Sequence, residues 1–417
     1  MLHVTNDLYR LFMLTYFLND ETFLKTHQLL TNNWCVSHSE KTPPIFISHS
    51  LEHFLRLNKS EMDNNIELWD ICKRFTNPYE YIHTNVSQHR QNVSSLSPVS
   101  RSFYKLVEIL QYFRVLENIY FQNDLNTFHL AEGPGGFVEA IHFLRNKLRS
   151  ANKDVYEAIT LSPKKNSIPS WTKLEKKHFF QIQNKKIRLH YGDLLDVDVF
   201  RETACSPESM NSRHIITADG GIDFSQGFQE QEFSAIPLII AQVLYAIMMQ
   251  RKGGIFIVKV FDLFSRPSVE ILYLLSFFYE EVCICKPNTS RYANSEKYVV
   301  CQKFKLESSV AYVGKFASII SQLSEKPDNH FVQTFLSHNL DMPLSFLNEI
   351  EEANIILGKQ QMFNINSTLQ FVSNKRGEKT YKLSKQNVDK CVQWCKIHGI
   401  PIRDAYIPTN IFKKKMS

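Results

Sequence analysis

Four charged side chains stand at points where alternating strands and helices could bring them together: Lys105, Asp219, Lys259 and Glu296. Lys259 gives the sharpest signal. It interrupts the apolar run from Ile255 to Phe261, and an ionised lysine in a strand buried on both faces is costly unless paired. Asp219 closes an earlier strand and could be that partner, in which case the two form a structural ion pair and nothing more. Lys105 lies in Ser100–Leu106 ahead of the first strand, and Glu296 comes just before the last. Two amines and two acids so placed could also move a proton, with an amine as base and the acids to hold it.

A second constellation is the stretch Phe128-His129-Leu130-Ala131-Glu132-Gly133-Pro134-Gly135-Gly136-Phe137. An apolar strand enters a glycine-rich turn and a helix follows at once, which presents backbone N–H groups to a nucleotide-like ligand. A tight turn without a ligand is the bland alternative. The spacing is not G-x-G-x-x-G, and the second strand ends in Ala158-Ile159-Thr160-Leu161 with no ribose-gripping acid. Both points argue against nicotinamide and flavin dinucleotides. S-adenosyl-L-methionine (SAM) fits better, having a ribose and an adenine but no pyrophosphate. Its candidate contacts are Glu132, Gly133, Pro134, Gly135, Gly136, Phe137, Leu161, Asp193 and Asp219. Asp193 follows the third strand, where it either accepts the adenine amino group or is an ordinary turn residue.

The elements that must position these groups can be read from periodicity. From Ser100 to about Leu306 strands and helices alternate, as in an α/β fold with a mostly parallel sheet. Strands are expected at Asn126–Leu130, Val155–Leu161, Ile187–Tyr191, His214–Ala218 and Gly254–Phe261. Helices are expected at Gly135–Arg149, Gln229–Arg251 and Pro267–Phe278, the second amphipathic and stopped by Gly253-Gly254. Val282–Lys286 and Lys297–Phe304 read as a closing hairpin.

With 417 residues the chain is longer than one ordinary domain, and 43% apolar content is enough for a buried core. A net charge of +6 fits a nucleic-acid partner without requiring one. Residues 1–95 read as a mainly helical extension, and residues 307–417 as a mixed region of helical and polar segments. Asn85–Ser100 is polar and Ser-rich, as a linker would be. Leu8–Leu18 reads as an amphipathic helix rather than a signal peptide. No run reaches membrane-span length; Phe233–Met249 comes nearest. Eight scattered cysteines suggest free thiols in a reducing compartment, so a cytoplasmic protein is expected. Cys391, Cys395 and His398 share a helix face but make an incomplete zinc set, so core packing is the expectation and no metal is implied.

The motifs together resemble a known family. PGG after the first strand, GD after the third, ADGG after the fourth, KVFD in the fifth and NSEKYVV at the last are similar to the FtsJ-like RNA 2′-O-ribose methyltransferases. SRSFYKLVEI ahead of the first strand completes the set. The similarity covers residues 96–306 and is closest to the cap-specific enzymes of eukaryotes and large DNA viruses. It implies a Rossmann-like SAM-dependent methyltransferase fold, a mostly parallel sheet with an antiparallel last strand, here with mainly helical N- and C-terminal extensions. It also implies a Lys-Asp-Lys-Glu tetrad, which falls on Lys105, Asp219, Lys259 and Glu296. His129 stands where many members have an acid, and Glu132 would supply that charge to the ribose or the methionine amine.

The implied reaction is in-line transfer of a methyl group from a sulfonium to a ribose 2′-hydroxyl of capped mRNA. A lysine base near neutrality must be uncharged, and burial, the Lys105 ammonium and the sulfonium all favour neutral Lys259. Lys259 is therefore the expected general base, with Asp219 and Glu296 holding its amine and Lys105 favouring the oxyanion. The resemblance implies RNA as a partner, together with other capping or transcription subunits, and a site in the host cytoplasm or virion if the chain is viral. Lys164, Lys165, Lys173, Lys176, Lys177, Lys185, Lys186 and Arg188 form a basic run whose default is a solvated surface. Trp171, Phe179 and Phe180 interleave it, which would allow base stacking. Arg291-Tyr292, nearer Glu296, is the better candidate for substrate contact. The alternatives are a ribosomal RNA 2′-O-methyltransferase and an inactive SAM- or RNA-binding subunit.

Overall fold

The computed structural model describes residues 14–16, 34–63, 65–87, 89–117, 124–148, 154–163, 168–177, 187–221, 230–337, 340–373 and 377–407. Its strands, in chain order, are β1 (Leu14–Tyr16), β2 (Ser37–Ser39), β3 (Asn126–Leu130), β4 (Val155–Thr160) and β5 (Ile187–Tyr191). They continue with β6 (Arg213–Ala218), β7 (Gln250–Val260), β8 (Tyr279–Cys285), β9 (Lys297–Phe304) and β10 (Phe331–Thr334). Eight of them form one sheet in the order β1-β8-β9-β7-β6-β3-β4-β5, and β10 pairs with β2 apart from it.

Strands β3 to β7 are parallel to one another, whereas β9 runs against both β7 and β8. This is the Rossmann-like sheet that the resemblance implied, mostly parallel with a reversed last strand. Parallel strands need crossovers, and helices on both faces supply them. Along β6 and β7 the side chains alternate between two cores, as period-two geometry requires. Ile216, Phe256 and Val258 join the helices Gln231–Met249 and Arg266–Phe278 on one face. Ile215 and Ile257 join the helices Ser102–Tyr112 and Gly136–Lys147 on the other.

The expected elements differ from the observed ones in four places. Gln231–Met249 is not amphipathic: 15 of its 19 residues are buried, so it is a core helix. The helix is long and apolar enough to cross a membrane, but most of it is packed inside the protein. Gly253-Gly254 does not stop it either, since β7 already starts at Gln250. The glycines instead fall where β7 slips register against β6 between Arg213 and Ile215, an irregularity that the absence of side chains accommodates. Within Leu8–Leu18, Leu14–Tyr16 is an edge strand on β8 rather than a helix, and the rest lies outside the described residues.

Asn85–Ser100 is no free linker. Val86, Val93 and Ser94 are buried, Val93 exchanges backbone bonds with Tyr81 and Arg403, and Ser94 bridges to Ile402. The described parts of the N- and C-terminal extensions thus pair with each other here. The extensions are mainly helical, as expected, and Leu344–Ser373 lies against both His49–Asp63 and Ile66–Thr76.

Candidate active site

The C-terminal edges of adjacent parallel strands bring the predicted residues side by side, because β6, β3, β4 and β5 are neighbours in that order. Glu132 follows β3, Leu161 follows β4, Asp193 follows β5 and Asp219 follows β6. Gly135 turns the chain from β3 into the helix Gly136–Lys147 with φ of 106°, a left-handed conformation that suits glycine. A Cβ there would lie 2.6 Å from Leu174 Cδ2, so the bend is closely packed as well. The Gly133–Pro134 peptide is cis.

Glu132 is buried, and its carboxylate accepts the Phe137 N–H at 2.6 Å, capping the helix. Phe137 itself is a core side chain whose ring lies 6.2 Å from that of Tyr298. His129, where an acid was the reference, is a buried strand residue held by Thr127 and Thr217 and pushed down to about 3 by burial. Burial and the nearby Asp219 push the Glu132 carboxyl well above the usual range. Glu132 and Asp219 stand at the C-terminal ends of the neighbouring strands β3 and β6, and a cation bound there would draw the Glu132 carboxyl back down. SAM, with a sulfonium and an ammonium, matches that donor set. Asp193 is exposed, and its carboxylate accepts the Leu195 N–H at 3.0 Å. Leu161 is 45% exposed and offers an apolar surface beside it.

The four charged residues converge as two ion pairs. Lys259 Nζ lies 3.3 Å from the Asp219 carboxylate and donates to the Asp219 carbonyl at 2.7 Å. Lys105 Nζ donates to Glu296 at 2.7 Å. Tyr298 links them: it is the register partner of Lys259 on β9, and its hydroxyl donates to Asp219 at 2.9 Å. Its ring centroid sits 5.9 Å from Lys105 Nζ.

Burial pushes the Lys105 amine down while Glu296 opposes that. Burial would raise the Glu296 carboxyl, but Lys105 and then Lys259 outweigh it and hold the group well below the usual range. The expectation that Glu296 binds Lys259 directly is corrected: its hydrogen bonds go to Lys105 and Ser290, and Lys259 acts on it only through charge. Lys259 is also the one partly exposed residue in the stretch Gly254–Val260, because it stands near the open end of β7.

Sequence reasoning missed Lys286. Its amine is buried and donates to the Asn294 carbonyl and side-chain oxygens, both at 2.8 Å, and to the Glu296 carbonyl at 2.6 Å. It ties down the loop that carries Glu296. Burial pushes it down to about 7, with Glu296 opposing. The sequence shows only that Lys286 closes an apolar run; that the following loop buries it is visible in the fold alone.

The proposed RNA contacts fare unevenly. Lys164, Lys165, Phe179, Phe180, Lys185 and Lys186 lie outside the described residues. Trp171 is only 1% exposed and cannot stack on a base, because it closes the core beside the glycine bend. Lys173 and Lys176 are exposed, whereas Lys177 pairs with Glu139 and Arg188 with Glu157. Arg291 is ion-paired to Glu80 at 2.7 Å, and the Tyr292 hydroxyl donates to Asn288 at 2.8 Å. Cys391 and Cys395 are core residues, as expected, and His398 meets the Gln111 side chain at 2.5 Å. No group of three or more His, Cys, Asp or Glu side chains that could hold a metal occurs among the described residues.

Residues 98–304 match the model of the FtsJ-like methyltransferase family. The chain is 29% identical over 279 residues to the cap-specific mRNA (nucleoside-2′-O-)-methyltransferase 2 of Danio rerio, over 63% of this chain and 35% of that protein. It is 28% identical over 302 residues to the cap-specific mRNA (nucleoside-2′-O-)-methyltransferase 1 of Drosophila melanogaster, over 67% of this chain and 35% of that protein. A segment of 111 residues is 40% identical to the corresponding Bos taurus methyltransferase 1, over 27% of this chain and 13% of that protein. The chain thus spans about a third of the length of the first two relatives, at 35% of each.

Proposed function

The chain belongs to the FtsJ-like methyltransferase family through residues 98–304, and from that premise we propose that it is a SAM-dependent RNA 2′-O-ribose methyltransferase acting near the 5′ cap of mRNA. The observation that carries the reading is the pair of lysine–carboxylate contacts, Lys259 with Asp219 and Lys105 with Glu296, at the strand edge that also bears the glycine bend. The cap-specific relatives support the choice of RNA end.

SAM supplies a methyl group on a sulfonium, an electrophile that needs no further activation. Gly133–Phe137, Leu161 and Asp193 would hold it along the ends of β3, β4 and β5. The chain's own task is then to deprotonate a weak nucleophile. Lys259 takes the proton of the 2′-hydroxyl, and its two contacts with Asp219 fix the direction of the nitrogen. Tyr298 donates to the same Asp219 oxygen, Oδ1, that Lys259 approaches. Lys105 keeps its charge against burial through Glu296 and stabilises the developing oxyanion. Proximity of base and hydroxyl removes much of the entropic barrier. Contact of Arg291, Tyr292, Lys164 and Lys165 with RNA is part of the same proposal.

The test is to incubate the chain with SAM and short RNAs that differ only in cap structure, and to locate the new methyl group by mass spectrometry. A methyl on a ribose next to the cap supports the reading. A methyl on a base nitrogen, or on uncapped ribosomal fragments only, overturns it.

A further inference from the structure

We propose that the N- and C-terminal extensions build a seat for one nucleotide of the RNA, next to the ribose that is methylated. The proposal rests on the reading above that RNA is the substrate. The seat is a cleft of about 440 Å³, which is within the range of small-ligand pockets. One wall comes from the helices His49–Asp63 and Ile66–Thr76, a second from the helix Leu344–Ser373, and a third from the loop Arg291–Ser295. The loop and Gln231 belong to the family-matched segment, and the residue after the loop is Glu296. Whatever occupies the cleft therefore lies beside the catalytic loop.

Three features define the occupant. Met62, Trp69 and Ala293 pack together and give an apolar floor of the kind on which a base rests. Lys59, Lys73 and Arg291 line the cleft, paired with Asp262, Asp70 and Glu80 respectively, and together present cationic donors that a phosphate would share. Asn77 supplies the third feature. It is 4% exposed, and its oxygen accepts the Tyr292 N–H, yet its side-chain nitrogen has no hydrogen-bond partner among the described residues. A buried amide donor without an acceptor is unfavourable, and a base carbonyl, ring nitrogen or phosphate oxygen would satisfy it. An apolar floor, an unused amide donor and cationic side chains in one cleft beside Glu296 match a nucleotide better than a peptide segment.

Two measurements on the full chain test this. Capped RNAs carrying 4-thiouridine at successive positions near the 5′ end are photo-cross-linked, and the adducts are mapped by mass spectrometry. Adducts within residues 59–77 or 291–295 support the seat; adducts confined to other surfaces overturn it, and a peptide partner retained there in place of RNA would do the same. Steady-state kinetics then follow Asn77→Asp, which removes the unused donor with little change of shape, and Lys73→Ala. Each is expected to raise the KM for RNA about tenfold while SAM affinity holds, the effect of losing one hydrogen bond or phosphate contact. Lys252→Ala, a cation at the opposite end of β7 paired with Glu307, serves as the control for general charge loss. An RNA KM within about twofold of the parent in both cleft variants overturns the proposal. Cleft adducts without any RNA methylation would instead sink the catalytic reading and leave the seat standing.

Discussion

Lys259 is gripped twice by a single residue, its Nζ lying 2.7 Å from the Asp219 backbone carbonyl and 3.3 Å from the Asp219 carboxylate. The backbone contact cannot be removed by changing the Asp219 side chain, so the amine stays aimed even if its charge partner is lost. Lys105 is held instead by a side chain, the Glu296 carboxylate at 2.7 Å. The two amines are thus held differently, which fits a base that must be aimed and a cation that must stay charged.

Lys259→Met should lower methyl transfer by about 10²- to 10⁴-fold, the usual contribution of a general base. SAM binding, followed by calorimetry, should persist, because the cofactor contacts lie on other strands. Full turnover in a radiolabelled-methyl assay would remove Lys259 from the role.

Lys286→Met should lower turnover by about tenfold or more, since it releases the Asn294 and Glu296 carbonyls from a buried cation. The variant also has a signature in pH. Burial pushes Lys286 down to about 7, so between pH 7 and the unfolded value of roughly 10.4 the folded chain binds fewer protons than the unfolded one. Stability attributable to this residue therefore rises with pH across that window. Melting temperatures from pH 7 to 9 should rise less steeply in Lys286→Met; equal slopes would refute the assignment.

Gly135→Val combines a left-handed backbone position with a Cβ that would press on Leu174 at 2.6 Å. SAM affinity should fall severely, with a loss of stability of about 1–3 kcal/mol. Unchanged calorimetric binding would undo the placement of the cofactor on this bend.

Burial would raise the Glu80 carboxyl, but Arg291 overcomes it and brings the group down to about 2. The stability this adds is present above the unfolded value of about 4.5 and is lost as pH falls towards 2. Acid melting curves should therefore fall less steeply between those values for Glu80→Gln than for the parent chain. Parallel curves would show that the Arg291 pair contributes nothing.

Much of this was legible in residue types. β3 and β5 were read to the residue: Ile187–Tyr191 alternates apolar and polar side chains, and Asn126–Leu130 leads directly into the glycine turn. Gln231–Met249 was found as a helix but given the wrong environment. Its continuous apolar character marks burial on all sides, and the expected polar face is missing. The pairing of Glu296 with Lys105 could not be read, because partner choice depends on how the helix Ser102–Tyr112 docks against the loop before β9. Lys286 was overlooked for a different reason. It ends a strand next to a polar loop, where a lysine ordinarily reaches solvent, and only the fold reveals that the loop closes over it. Trp171 likewise looked like a stacking surface beside basic residues and is a core side chain.

The central claim is that Lys259 and Lys105 act on a ribose 2′-hydroxyl. Its most direct test compares two capped RNAs that are identical except that the cap-proximal riboses of one lack the 2′-hydroxyl. With radiolabelled SAM the account predicts methyl incorporation into the first RNA and none into those positions of the second. Equal incorporation into both would contradict it.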